Sequence, residues 1–163
     1  ETRVIAVEPA ASPSLTKGVY AFDYGDSAQM APIVKMHTLG HTFIPPGIHS
    51  GGLRYHGASP LVSALCAKGI VEAASCQQLD IFKAAVLFAQ CEGIVPAPES
   101  SHAIKAALDI ARQDKKGKCI VFNLSGHGLL DLASYDKYLH GELKNYSYPS
   151  KEIKRALKDL PKV

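Results

Sequence analysis

Four short segments hold the residue types that can do chemistry. Leu124-Ser125-Gly126-His127-Gly128 sets a hydroxyl and an imidazole among close glycines. Pro98-Glu99-Ser100-Ser101-His102 sets a carboxylate at the expected start of a helix, where the helix dipole favours negative charge. Gly51-Gly52 offers backbone that can approach a ligand closely. His37 and His41 have the i, i+4 spacing that suits zinc on a helix face. The residues between them argue against that metal reading. Thr38-Leu39-Gly40 lacks the glutamate of the protease motif, and glycine disfavours a helix. Ser125 does not sit in a G-x-S-x-G elbow, because Asn123 stands two positions before it. His127 is too near in sequence to serve readily as its base. Ser125 as a hydrogen-bonding ligand at the end of a strand is the better reading. Glu99 has a plain alternative as a helix-capping acid. Gly51-Gly52 and Gly126-x-Gly128 are weak as phosphate motifs, lacking P-loop lysine and dinucleotide-fold spacing.

The elements around these segments imply an α/β chain. Arg3 to Val7 reads as a short buried strand. Residues 9–32 and 38–60 are punctuated by glycine and proline and read as long irregular connections. Ser59-Pro60 caps and opens a helix over 60–68, stopped by Gly69. Ile70 to Ser75 reads as a strand. Asp80 to Cys91 is apolar on nearly all faces, as in a buried helix. Gly93-Ile94-Val95 and Lys118 to Asn123 read as further buried strands, flanking an amphipathic helix over 100–112. Ser150 is expected to cap a last helix with the stripe Ile153, Ala156, Leu157 and Leu160. Strands alternating with helices imply a parallel sheet, with ligands beyond the carboxyl ends of its strands. Glu99 and Ser125 lie at two such ends.

Composition sets the outer limits. The 163 residues are 47% hydrophobic and 20% charged, so disordered and collagen-like chains are excluded. No apolar run approaches the ~20 residues a membrane span needs, and no signal peptide is visible. The net charge is +3, and the excess lies from Lys137 onward. A solvated helix face explains it better than a nucleic-acid contact. Cys66, Cys76, Cys91 and Cys119 show no C-x-x-C spacing, which points to reduced thiols and a cytoplasmic setting. The chain starts at Glu1 and runs almost directly into its first strand, as expected of a piece of something longer.

Several segments together resemble the tryptophan synthase beta chain family, in its C-terminal half. They are Val7-Glu8-Pro9, Leu15-Thr16-Lys17-Gly18, residues 35–41 (K-M-H-T-L-G-H), residues 48–57 (I-H-S-G-G-L-R-Y-H-G), residues 92–103 (E-G-I-V-P-A-P-E-S-S-H-A) and residues 122–128 (F-N-L-S-G-H-G). The G-G-L-R-Y-H-G run is most similar to the family's divergent second subgroup. The resemblance covers residues 3 to 140.

It implies part of a three-layer, parallel-sheet α/β fold of the pyridoxal phosphate (PLP) enzymes called fold type II. Residues 1–140 would be catalytic fold and 141–163 a basic helical extension. It implies a lyase of tryptophan biosynthesis that joins indole and L-serine into L-tryptophan. Ser125 would face the cofactor's ring nitrogen, Glu99 and Gly126 would lie near the ring, and Gly52 would lay its backbone against it. The carbonyls of Tyr55 and Gly57 resemble part of a monovalent-cation site. Arg54 stands where the main subgroup has an aspartate that contacts the bound amino acid, which reverses the charge there. The family's Schiff-base lysine, catalytic glutamate and phosphate loop have no match here. No catalytic residue is therefore expected in this piece, and alone it should be inactive. The expected partners are the rest of the chain and a second copy, with an alpha subunit left open and neither nucleic acid nor membrane involved. The rival readings are a cysteine or threonine synthase-like PLP enzyme and a non-catalytic remnant used as a binding domain.

Overall fold

A computed structural model describes residues 2–114 and 117–163. In chain order the elements are β1 (Val4–Pro9), α1 (Ser14–Lys17), β2 (Val19–Tyr24), β3 (Ile33–Thr38), α2 (Pro60–Ala67), β4 (Val71–Cys76), α3 (Gln78–Glu92), α4 (Pro98–Gln113), α5 (Leu132–Leu139) and α6 (Ser150–Ala156). A 3-10 turn covers Gly51–Leu53 and another covers Leu157–Asp159. The chain divides into two compact units. The first contains Glu1–Gly47, Arg54–Ser75 and Ser147–Val163, and the second Ile48–Leu53 and Cys76–Tyr146.

In the first unit β1 pairs with β4, and β2 pairs antiparallel with β3, Val19 opposite Thr38 through to Tyr24 opposite Ile33. The hairpin replaces much of the irregular connection expected over 9–32. Its strands alternate strictly, with Tyr20, Phe22 and Tyr24 on one face and Val19, Ala21 and Asp23 on the other. Asp23 occupies a buried position where an apolar residue would ordinarily stand, which masks the pattern. It is tolerated because its carboxylate is fully bonded. Thr38 Oγ1 donates to one oxygen at 2.6 Å, and the other faces His41 Nδ1 at 2.7 Å and the Tyr24 N–H at 2.9 Å. Gln29 Nε2 lies 3.1 Å from His41 Nε2. Both ring nitrogens of His41 thus face partners within this buried network. The apolar core here is Leu39, Phe43 and Ile153, with Tyr148 and Leu157 packed against it. That follows the stripe expected of the last helix. Ser150 is its first helical residue, however, with Pro149 in the cap position and no side-chain cap bond. Ser59 does hold the cap position of α2, but its hydroxyl makes no cap bond either.

In the second unit Ile81, Phe82 and Ala85 of α3 bury against Tyr135 of α5 and Leu143. The Phe82 ring meets Tyr135 edge-on and stacks on Tyr138. The strands expected at 93–95 and 118–123 do not form. Among the described residues both stretches lack a strand ladder, and the only pairing beside them is the single bridge between Pro96 and His127. An apolar extended run becomes a strand only when a neighbour supplies a ladder of bonds. No described segment does so here. Val121 remains 88% exposed, while Phe122 rests edge-on against Phe88.

Candidate functional site

The second unit gathers four of the singled-out residues. Helix α3 ends at Gly93, whose left-handed backbone (φ 69°) turns the chain toward Pro96. Pro98 then opens α4, which sets Glu99 and Ser100 in its first turn. The 124–128 loop crosses this connection. Ala97 N–H donates to the Gly126 carbonyl at 2.9 Å, and Gly128 N–H to the Val95 carbonyl at 2.7 Å. The crossing sets Ser125 beside α4, with its Oγ 3.3 Å from that of Ser100. Glu99 Oε1 in turn accepts the Gly52 N–H at 2.8 Å. A Cβ at Gly52 would lie 3.2 Å from Glu99 Cγ and 3.3 Å from its Oε1, so any larger residue would require the Glu99 side chain to shift. A carboxylate, a hydroxyl and bare glycine backbone thus meet at the start of one helix. Ser125 and Gly52 are exposed, whereas Ser100 behind them is buried.

Two residues that went unread in the sequence support this corner. Gln78, the first residue of α3, accepts the His49 N–H at 2.8 Å and donates to the Lys144 carbonyl at 3.0 Å. Ser134 of α5 places its Oγ 2.9 Å from His49 Nδ1. Asp131 holds the cap position of α5, but a cap marks where a helix starts and not which of its hydroxyls has a partner 85 positions away. Asp131 also belongs to this corner. Burial raises its carboxyl above the usual aspartate value and the charge of Glu99 adds to this, while His127 and His49 oppose it.

His102 lies one turn along α4, buried, with Nδ1 donating to the Pro98 carbonyl at 2.9 Å. Burial holds its imidazole below the ordinary value of 6.5. A depressed histidine contributes stability above its unfolded value and loses it as pH falls, because the unfolded state takes up the proton first. Urea unfolding at about pH 7.5 and about pH 5.5 should therefore show a less stable chain at the lower pH, and His102→Asn should reduce that difference. An unchanged difference in the variant would assign the slope elsewhere, His37 being the other histidine that burial depresses.

Arg54, Tyr55 and Gly57 belong to the first unit. Arg54 donates one N–H to the Pro45 carbonyl at 3.3 Å, while its Nε is buried with no acceptor. A guanidinium with spare donors suits an anionic group. Tyr55 is exposed, and Gly57 forms an isolated bridge with Thr38. No group of three metal-ligating side chains occurs among the described residues. None of the helices among them is long and apolar enough to cross a membrane, and all four cysteines are free.

The family described as pyridoxal-phosphate dependent enzyme matches residues 1–126. The chain is 64% identical over 145 residues to the tryptophan synthase beta chain 2 of Methanosarcina mazei, covering 87% of this chain and 33% of the relative. It is 58% identical over 146 residues to that of Aquifex aeolicus, covering 88% and 34%. With that of Pyrococcus furiosus it shares 54% over 164 residues, covering 99% and 37%. The chain spans about a third of the length of these curated relatives. With a match over residues 1–126, the chain belongs to the pyridoxal-phosphate dependent enzyme family and carries part of its α/β fold.

Proposed function

We propose that this chain forms one wall of the cofactor site in a tryptophan synthase beta-type lyase, which joins indole and L-serine to L-tryptophan. The observation that carries this reading is that the first turn of α4 holds both segments, Glu99 through the Gly52 N–H and Ser100 beside the Ser125 hydroxyl. These groups fit a flat, polar-edged ring. A bare glycine gives it a face, and an exposed hydroxyl backed by a buried serine gives its nitrogen a partner.

PLP supplies the electron sink that allows the serine hydroxyl to be replaced by indole. What the chain adds is the setting. Ser125 would hydrogen-bond the ring nitrogen as a neutral group, so the ring withdraws electrons less than it would beside a carboxylate. Ser100 limits the rotation of that hydroxyl. Glu99 is kept in place by the Gly52 N–H and would lie near the ring with Gly126. Arg54 would turn its spare donors to the amino-acid substrate, and the Tyr55 and Gly57 carbonyls would hold a monovalent cation. The lysine that anchors the cofactor and the loop that holds its phosphate belong to the remainder of the intact chain. That remainder would cover the apolar groove lined by Val86, Ala89, Val95, Leu132 and Tyr135, together with the exposed Leu129 and Leu130. The intact enzyme would be a homodimer in the cytoplasm, with residues 141–163 as a helical extension of the catalytic fold.

The test compares the isolated chain with the intact protein. PLP should give no borohydride-fixable absorbance band with this chain alone. The intact protein should take up PLP and form tryptophan from indole and L-serine, and Ser125→Ala should reduce that rate at least tenfold, a loss of about 1.4 kcal/mol of transition-state stabilisation. Replacement at serine by sulfide in place of indole would favour a cysteine synthase-like enzyme. Failure of the intact protein to bind PLP would favour a non-catalytic binding domain.

A further inference from the structure

We propose that His49 and Ser134 are positioning residues, whose hydrogen bond holds the Gly51-Gly52 turn against Glu99. The inference rests on the cofactor-wall reading and deepens it. The turn has one backbone bond of its own, from Leu53 N–H to the Ser50 carbonyl at 3.0 Å, and nothing packs around its glycines from within. Gly51 and Gly52 are exposed, and a Cβ at Gly51 would meet nothing within 4 Å. Two adjacent glycines also give the unbound turn more conformational freedom than any other residue pair would. Yet the turn must present one particular N–H to Glu99. It does so because three helices grip it at three points. Gln78 at the start of α3 takes the His49 N–H. Glu99 in the first turn of α4 takes the Gly52 N–H. Ser134 of α5 takes the His49 side chain.

The third grip differs from the other two: it holds the imidazole of His49, whereas Gln78 and Glu99 hold backbone N–H groups. Ser134 is itself set firmly, buried at 9% exposure, with its N–H donating to the Asp131 carbonyl at 2.8 Å. The His49 imidazole also acts on the Asp131 carboxyl, which feels the charge of Glu99. Removing the Ser134 hydroxyl leaves His49 with less to hold it, and the glycine backbone free to swing from Glu99.

Deuterium uptake over residues 49–54 of the intact protein, measured without PLP, reads this directly. Ser134→Ala should speed exchange of that segment about tenfold, the loss of one hydrogen bond of roughly 1.4 kcal/mol. Ser134→Thr, which keeps the hydroxyl, should restore it to within about twofold. Exchange in the α3 core around Phe82 should not change. Unchanged uptake at 49–54 in Ser134→Ala would overturn the proposal, as would an equal rise at Phe82, which signals general loosening. Because the measurement needs no cofactor, it stands whether or not the protein binds PLP. If PLP does bind, Ser134→Ala should weaken its affinity while Ser134→Thr does not.

Discussion

Asp23→Ala should lower the stability of the chain by about 3–5 kcal/mol, seen as a large drop in the urea midpoint. The carboxylate is fully buried, as are its partners Thr38 and His41. It receives the Thr38 hydroxyl, the His41 imidazole and the Tyr24 N–H. Alanine removes both acceptor oxygens, and with them all three bonds, and leaves donors in a buried site. The Thr38 hydroxyl still accepts the Gly40 N–H at 2.9 Å, but as a donor it keeps only its longer approach to the His56 carbonyl, at 3.4 Å. Thr38→Val is milder: it removes the bond to Asp23 and the acceptor of the Gly40 N–H at 2.9 Å, and should cost roughly 2–3 kcal/mol, because Asp23 keeps His41 and Tyr24. Many domains of this size hold only ~5–15 kcal/mol in total, so Asp23→Ala approaches unfolding at physiological temperature. A midpoint for Asp23→Ala no lower than that of Thr38→Val would show that the network acts pairwise and that Asp23 is not its centre.

The same aspartate explains what the sequence hid. Helices α2, α3, α4 and α6 were legible because start and stop signals and apolar spacing are local. So were β1 and β4. The β2–β3 hairpin also alternates, but its buried face carries Asp23 and Thr38, which read as polar. Their burial makes sense only once His41 is beside them, and no local rule brings it there. Residues 118–123 fail in the opposite sense. The run Cys119-Ile120-Val121-Phe122 has strand composition, yet a strand is a relation between segments, and its partner is not among the described residues. The site shows the same division. Glu99 and Ser125 were singled out by type and position, and Gly52 by its neighbours and by family resemblance. The contacts of Ser100 with Ser125 and of His49 with Ser134 join residues 25 and 85 positions apart, and no spacing within a segment reports such a pair.

The crossing that sets Ser125 in place also fixes what may stand at residue 128. A Cβ on Gly128 would lie 2.4 Å from the Pro96 carbonyl oxygen and 3.0 Å from Val95 Cγ1. The first of these is backbone and cannot rotate away. Gly128→Ala must therefore push the 124–128 loop off the Val95-Pro96-Ala97 segment. The bonds from Gly128 N–H to Val95 and from Ala97 N–H to Gly126 then lengthen together, and Ser125 moves away from Ser100. The expected cost is about 3 kcal/mol, at the upper end of what overpacking imposes, because the clash and the lost bonds add. The effect on function should exceed the effect on folding. In the intact protein PLP affinity should fall at least tenfold, equivalent to about 1.4 kcal/mol, even where the variant is folded. Gly47→Ala is the control, since a Cβ there meets nothing within 4 Å and its stability should change by less than about 0.5 kcal/mol. If Gly128→Ala unfolds at the same urea concentration as Gly47→Ala and binds PLP as tightly, the 124–128 loop does not depend on this crossing. Ser125 would then owe its place to other contacts.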